Sequence, residues 1–391
     1  MRLAFLIPSL EIGGAERAVA LISKELSRST EVAVIIFRRP VMYDLSCPLY
    51  LLEDRSAGRI TRFISYVSFL NNYRPDAVIS LLTSAHTLNA LTPHRVRKFL
   101  WFQNYPTGLN IRHPIFYGIN AVKFLTIYHV ADGILAVSRA LRDVLIRQHY
   151  AAPSKTHVLY NPIDNELIKK LSREEITPEE ESALGDPTIV NVGRLVWQKG
   201  QWHLIRSFKK VTEELRKSKL IIIGGGPLER RLHSYVERLG LRGRVVLMGP
   251  RLNPPKLVAR SDLFAFPSIK EGFSLALLEA LACGTPVVSS DCLSGPREAL
   301  APRTSYKFGS LASPEFADYG ILMPVPDGIM RGPESPLTKE EDVWAETMIS
   351  TLQDDNLLKR YRERGPLRSA DFDVRLITKQ MLEIVNGYIN K

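Results

Sequence analysis

Apolar residues along the chain gather in short runs, mostly β-branched or aromatic, and amphipathic stretches of helical period fill the gaps. RLAFLIPSL is followed by a helix-period pattern over Ala15–Leu26 and then by EVAVIIF; DAVISLL, KFLWF and DGILAVS continue the rhythm. Short apolar runs alternating with helical patterns predict βαβ units and an open parallel sheet. After THVLYNPIDNELIKKL the rhythm pauses at SREEITPEEESALGDP, a polar, proline-containing stretch that reads as a connection between domains. A second series follows: TIVNVGRL, SKLIIIGGG, RVVLMG, LFAFPS and TPVVSSD, each running into a glycine or proline turn. The pattern predicts two doubly wound α/β domains, residues 1–165 and 188–370, with a linker at 166–187. A C-terminal helix at 371–391 is taken to pack back on the first domain. Ligands of such sheets sit outside the carboxyl ends of the strands, so a crevice between the two domains is the expected site.

One helical stretch breaks the amphipathic pattern. In EGFSLALLEALACGTPVV, Ser274 is a candidate N-cap and Gly284 a candidate residue just past the helix end. Between them the helix is apolar on every side except at Glu279, so it should be buried. A carboxylate there must be hydrogen-bonded, because an unpaired buried charge is strongly unfavourable. A ligand diol, such as a ribose 2′,3′ pair, would satisfy it; so would a buried Arg or a backbone cap. Glu271 precedes the helix beside Gly272, where a sharp turn lets it face another part of the same ligand.

Two more places carry candidate chemistry. Arg194 and Lys199 in NVGRLVWQKG follow the first strand of the second series, where two cations would neutralise a diphosphate. Two solvated surface cations are the plainer alternative. Gly13-Gly14 lie between a strand and a helix, and close backbone approach with free N–H groups suits a phosphate, although a plain turn needs the same residues. Gly224–Gly226 is a similar case. It lacks the Gly-x-Gly-x-x-Gly spacing followed by an acidic ribose partner, so a nicotinamide cofactor is not favoured.

Composition narrows the classes. The 391 residues are 45% hydrophobic and 24% charged, ordinary for a globular protein. No run reaches the roughly 20 apolar residues of a membrane-spanning helix. MRLAFLIPSLEIGG, interrupted by Pro8, Glu11 and the Gly pair, reads as a buried strand and not as a targeting segment. Cys47, Cys283 and Cys292 are odd in number and form no Cys-x-x-Cys pair, which suggests neither disulfides nor zinc and a reducing cytoplasm. The net charge of +11 is uneven: residues 1–160 hold 19 Lys and Arg against 10 Asp and Glu, the remainder 33 against 31. A basic half suggests an anionic partner, yet no nucleic-acid module is present and none is expected. PHRVRKFLWF and the Arg59–Leu70 stretch interleave basic residues with aromatics, a pattern for peripheral docking on an anionic membrane or for ordinary amphipathic elements.

Taken together, Gly13-Gly14, GRLVWQKG, LIIIGGGP, SDLFAFPS and EGFSLALLEALACGTPVV stand in the order and spacing of glycosyltransferase family 4, which the chain resembles over nearly its whole length. The resemblance implies the GT-B fold, two Rossmann-like domains facing a central cleft, and metal-independent transfer of a sugar with retention. No cofactor is implied; a nucleotide-sugar, UDP-linked, is the substrate. Glu279 would bind the ribose hydroxyls, Glu271 the transferred sugar, and Arg194 and Lys199 the diphosphate, with Gly13 and Gly14 offering N–H groups to the distal phosphate. The implied donor site also takes in Gly193, Gly272, Phe273 and Ser274. SGPREAL at 294–300 departs from the commoner Gly-Gly-x-x-Glu form and looks like a subgroup extending polyprenyl-diphosphate-linked glycans with a hexose or N-acetylhexosamine; Ser294 and Gly295 are its candidate contacts. Glu271, Arg194 and Lys199 are the expected catalytic groups, with His86 as candidate base. Where relatives carry a histidine this chain has Gln103 and Asn104, and His113 is a further alternative. The leaving phosphate can itself take the acceptor proton, so no protein base is required. A transferase acting on a small-molecule or free saccharide acceptor, and a silent nucleotide-sugar-binding protein, remain as alternatives. The DFD at Asp371–Asp373 matches a metal-binding Asp-x-Asp pattern but is read as a helix start.

Overall fold

The computed structural model describes residues 1–52, 58–105, 126–149, 151–305 and 311–390. The chain forms two compact units, Met1–Ile163 with Phe372–Lys391, and Asp164–Asp371.

The first unit is built on seven strands: β1 (Arg2–Ile7), β2 (Glu31–Ile36), β3 (Leu49–Leu51), β4 (Ala77–Leu81), β5 (Arg97–Phe102), β6 (Gly133–Ala136) and β7 (Thr156–Val158). Their order is β3-β2-β1-β4-β5-β6-β7, and every neighbouring pair is parallel. Leu3 to Ile7 of β1 are all buried, as expected for a strand covered on both faces. The order reverses between β1 and β4, so the loops after these two strands flank the switch point where ligands of such sheets bind.

The second unit repeats the plan with β8 (Thr188–Val192), β9 (Lys219–Ile223), β10 (Val245–Gly249), β11 (Leu263–Phe266), β12 (Val287–Ser290), β13 (Glu315–Phe316) and β14 (Ile321–Met323). The order is β10-β9-β8-β11-β12-β14-β13, parallel except for the β13–β14 pair. Its switch point lies between β8 and β11.

The segment expected to be a linker, 166–187, is folded. Asp164 caps the helix Asn165–Leu171 by accepting from the Leu167 N–H, and Thr177 with Glu180 forms a reciprocal capping box on Pro178–Ser182. Lys256 pairs with Glu180 at 2.7 Å and the Asn253 amide donates to the Leu171 carbonyl, so both helices belong to the second unit. Their polar residues are the exposed faces of short helices, which composition alone reads as a connection. The chain re-enters the first unit beside the point where it left: the Ile163 N–H donates to the Phe372 carbonyl and the Val374 N–H to the Ile163 carbonyl. Asp373 then caps the helix Val374–Ile389. That helix packs on Gly14–Leu26, and its Tyr388 ring meets Phe99 edge-on. No described helix is long and apolar enough to cross a membrane.

Candidate active site

The loops at the second unit's switch point are locked together through their backbones. The chain leaves β8 at Gly193 and passes Arg194 and a short turn at Trp197–Lys199 before the helix Gln201–Glu214. Gly200, at φ +62°, has the left-handed conformation that ends this turn, and a Cβ there would stand 2.5 Å from the Pro267 carbonyl oxygen. The Ile269 N–H donates to the Gln198 carbonyl, fastening the loop after β11 to the loop after β8. Gly224 and Gly226 serve the opposite flank. Added Cβ atoms would meet the carbonyl oxygens of Gly193 and Leu195 at 2.1 and 2.6 Å, and the Leu195 N–H donates to the Gly225 carbonyl. Gly224 and Gly226 are therefore required where two backbones touch, whereas a Cβ on Gly225 would meet only the Pro250 ring at 3.4 Å.

This framework brings Lys199 and Glu271 together. Lys199 Nζ donates to Glu271 Oε1 at 2.6 Å and also stands 4.8 Å from the centre of the Phe266 ring. The two side chains are only 16% and 9% exposed, so the pair is held largely out of water. Arg194 is exposed, and its carbonyl is held by the Gln201 amide. A Cβ added to Gly193 would make only ordinary contact with the Lys199 stem.

Eight residues past Glu271, Glu279 lies on the helix Leu275–Ala282, buried among Leu275, Leu277, Leu278, Ala280 and Leu281. The expected start and stop fare differently. Ser274 occupies the N-cap position, but its side chain caps nothing, leaving the first-turn N–H groups without the usual hydroxyl. Gly284, at φ +71°, ends the helix: its N–H donates to the Leu281 carbonyl and the Thr285 N–H to the Ala280 carbonyl. Cys283 beside it has its thiol pushed up to about 12, first by burial and then by the Glu279 charge.

The loop after β12 lies against the start of this segment. Ser294 (φ +74°) donates its hydroxyl to the Gly272 carbonyl, and a Cβ on Gly295 (φ +83°) would approach that same oxygen to 2.7 Å. Gly272 and Phe273 are buried beneath it. Behind the loop, Arg297 spans two carboxylates, Asp291 at 2.6 Å and Glu315 at 2.9 Å. Burial raises the Asp291 carboxyl above its usual range, opposed by the Arg297 guanidinium.

In the first unit, Gly13 stands at the N-cap and Gly14 opens the helix Gly14–Leu26 that follows β1, and their circumstances differ. The Gly13 N–H donates to the Tyr43 hydroxyl, and the Glu16 carboxylate folds over Gly13 to within 2.2 Å of an added Cβ; at Gly14 a Cβ would meet nothing within 4 Å. His86 corrects its expectation. Its ring is buried against Phe102, with Nδ1 3.1 Å from Ser80 Oγ, and burial pushes its pKa down to about 3. It belongs to a core network in which the Tyr66 hydroxyl donates to Asn89 and the Asn89 amide to Ser80. A ring so placed is a core side chain, not a group held ready at the surface as the candidate base was expected to be. Gln103 is buried and Asn104 exposed just after β5; His113 lies outside the described residues. Lys98, Trp101 and Phe102 of PHRVRKFLWF are buried in β5, with Lys98 donating to the Ala90 and Thr92 carbonyls, so that half of the docking pattern is core. Among the described residues no group of three or more His, Cys, Asp or Glu side chains is placed to hold a metal ion.

Sequence reasoning missed two buried charge clusters. Arg206 donates to Glu341 and to the carbonyls of Gly332, Pro333, Ser335 and Pro336, and His203 shares the Glu341 carboxylate at 2.7 Å. The cluster fixes the loop after β14, whose Gly328 carbonyl accepts from the Trp197 indole. The Thr338-x-x-Glu341 capping box was readable; its second use by residues 135 positions away was not. The Asp291–Arg297–Glu315 cluster left as its only trace the departure at SGPREAL.

Comparison with known proteins agrees with the fold. The model of glycosyltransferase family 4 matches residues 12–167, and that of glycosyl transferases group 1 matches residues 172–314. An uncharacterized glycosyltransferase of Methanocaldococcus jannaschii is 30% identical over 91% of this chain and 88% of its own. The N-acetylgalactosamine-N,N'-diacetylbacillosaminyl-diphospho-undecaprenol 4-alpha-N-acetylgalactosaminyltransferase of Campylobacter jejuni is 29% identical over 99% of this chain and 100% of its own. Among solved structures, Anabaena HepE in complex with UDP-glucose matches with a TM-score of 0.75 at 21% identity, covering 99% of this chain and 100% of that one. Two parallel-sheet units with these matches make the chain a member of the family 4 glycosyltransferases, a transferase of GT-B fold.

Proposed function

We propose that this enzyme moves a hexose or N-acetylhexosamine from a UDP-sugar to a polyprenyl-diphosphate-linked glycan, with retention and without a metal. The observation that carries the reading is the Lys199–Glu271 pair beside a helix start that no side chain caps, all at one switch point. A donor diphosphate would draw Lys199 and Arg194 to itself, meet the free N–H groups and positive end of the helix, and leave Glu271 to the sugar. Glu279, one helix face further on, takes the ribose diol. Cations and helix dipole then stabilise charge on the leaving diphosphate, the electrostatic task a metal performs elsewhere. With His86 in the core, the leaving phosphate is the acceptor's proton sink. Gly13 and Gly14 remain the proposed contact of the first unit with the distal phosphate, and Ser294 and Gly295 that of the β12 loop with the sugar.

The acceptor class is supported by the printed name of the Campylobacter jejuni relative, which acts on a diphospho-undecaprenol-linked sugar and aligns over the full chain. Peripheral contact with an anionic membrane on the cytoplasmic side follows from that acceptor. It is supported by the helix Arg59–Tyr73, where Ile60 (77%), Phe63 (38%) and Ile64 (61%) are exposed beside Arg59 and no first-turn residue is acidic.

The test is nucleotide release from UDP-, GDP- and ADP-sugars, with and without a polyprenyl-diphosphate-linked sugar, beside Glu279→Ala. Release from one UDP-sugar that rises with the lipid acceptor and vanishes in Glu279→Ala is expected. Release driven equally well by a water-soluble saccharide would replace the lipid acceptor; none from any donor would leave a silent binder.

A further inference from the structure

We propose that Arg297 is a positioning residue for sugar transfer: it staples the β12 loop so that Ser294 holds the Gly272 carbonyl and thereby aims Glu271. The inference rests on the donor reading above.

The geometry is a closed chain of contacts. Arg297 Nε donates to both Asp291 oxygens at 3.0 and 3.1 Å, and Nη2 reaches Asp291 Oδ2 at 2.6 Å. The other edge of the guanidinium donates to Glu315 Oε1 and to the Thr304 hydroxyl, at 3.1 and 3.0 Å. The fork is thus filled on both sides by planar acceptors, an arrangement a lysine ammonium cannot reproduce. Asp291 is itself anchored, since its N–H donates to the Met323 carbonyl at the end of β14. A bond between residues 291 and 297 closes the intervening turn into a ring, and at its far side stand Ser294 and Gly295, both at positive φ.

That conformation is not one a free loop holds, because a serine in the left-handed region is uncommon. The arginine bonds over-determine it. The conformation brings Ser294 Oγ to donate to the Gly272 carbonyl, against which Gly295 is pressed without a Cβ. The Gly272 carbonyl belongs to the peptide joining Gly272 to Phe273, one residue past Glu271, so holding it restrains the otherwise freely turning glycine and with it the backbone from which the Glu271 side chain reaches Lys199. Arg297 touches neither Glu271 nor Lys199 in any hydrogen bond, and its effect passes through the turn.

Four variants test this: Arg297→Gln, Arg297→Lys, Ser294→Ala and the Arg297→Gln/Ser294→Ala double. Each is measured for UDP affinity by calorimetry and for UDP-sugar turnover. Arg297→Gln should leave UDP affinity within about twofold while kcat/KM falls about 100-fold, the loss typical of a displaced catalytic group. Arg297→Lys recovers part of the loss, and the double variant is no worse than the poorer single, because Arg297 acts by presenting the Ser294 hydroxyl that the other substitution removes. UDP affinity falling in step with turnover, or losses that multiply in the double, would overturn the proposal. Glu315→Gln, which spares the Arg297–Asp291 pair, serves if Arg297→Gln does not fold, and should show a smaller loss of the same kind. Should wild-type protein act on no UDP-sugar, the donor reading fails by itself. Amide exchange then decides: faster exchange at Gly272–Ser274 in Arg297→Gln, with Val287–Ser290 still protected, sustains the positioning, and unchanged exchange overturns it.

Discussion

Lys199 Nζ and Glu271 Oε1 lie 2.6 Å apart, although 72 positions separate them in sequence and each has a different part of the donor as its proposed target. Each holds the other in place until a ligand competes. Lys199→Met should leave a carboxylate at 9% exposure without its cation, costing about 3–5 kcal/mol in guanidinium unfolding of the second unit. Adding Glu271→Gln should restore most of that stability and none of the turnover. Recovery of turnover in the double variant would remove both residues from the chemistry.

The glycines separate packing from ligand approach. Gly224→Ala places a Cβ 2.1 Å from the Gly193 carbonyl oxygen at φ +147°, and a loss of about 1–3 kcal/mol in thermal unfolding is expected. Gly14→Ala meets nothing within 4 Å and should leave stability equal or up to about 1 kcal/mol higher. Its turnover should nevertheless fall about tenfold, because the Cβ fills space proposed for a phosphate. Undiminished turnover would return Gly14 to a plain turn.

Burial of His86 makes a statement about acid stability. Its folded pKa of about 3 lies below the ordinary value of about 6.5, so the unfolded chain binds the extra proton between these limits. The stabilisation is complete above pH ~6.5 and is lost as pH falls towards ~3, at up to about 1.4 kcal/mol per pH unit. His86→Gln should flatten this limb of the unfolding profile of the first unit, measured against urea from pH 4 to pH 7 (roughly the window set by those two values). An unchanged slope would mean that other groups govern it.

The exposed flank of the helix Arg59–Tyr73 offers a separate test. Replacing Ile60 and Ile64 together by Glu should leave the fold intact, since both are exposed, and abolish flotation with anionic liposomes at low salt. Wild-type protein that does not float would end the docking proposal.

Strand positions and the donor motifs were legible because parallel strands are apolar on both faces and the motif loops follow them directly. TPEE at 177–180 even carried a capping box, Thr177 with Glu180, within the stretch taken as a linker; its acidic composition outweighed that local signal. The core place of His86 was hinted at by Ala85, Asn89 and Ala90, which share its buried helix face, but polar neighbours in sequence give no measure of depth. Arg206 and Arg297 were out of reach, because a buried arginine looks like any other until its distant carboxylates are known.

The crossing at Ile163 and Phe372 bears on the order of events at the ribosome. The second unit is one uninterrupted stretch and can finish folding as soon as it has emerged. The first, although begun earlier, lacks the helix Val374–Ile389 that covers Gly14–Leu26 and Phe99 until residues 374–389 have been translated. The half synthesised first is therefore completed last, and a premature stop codon after Asp371 would harm the first unit while sparing the second, beside which it falls.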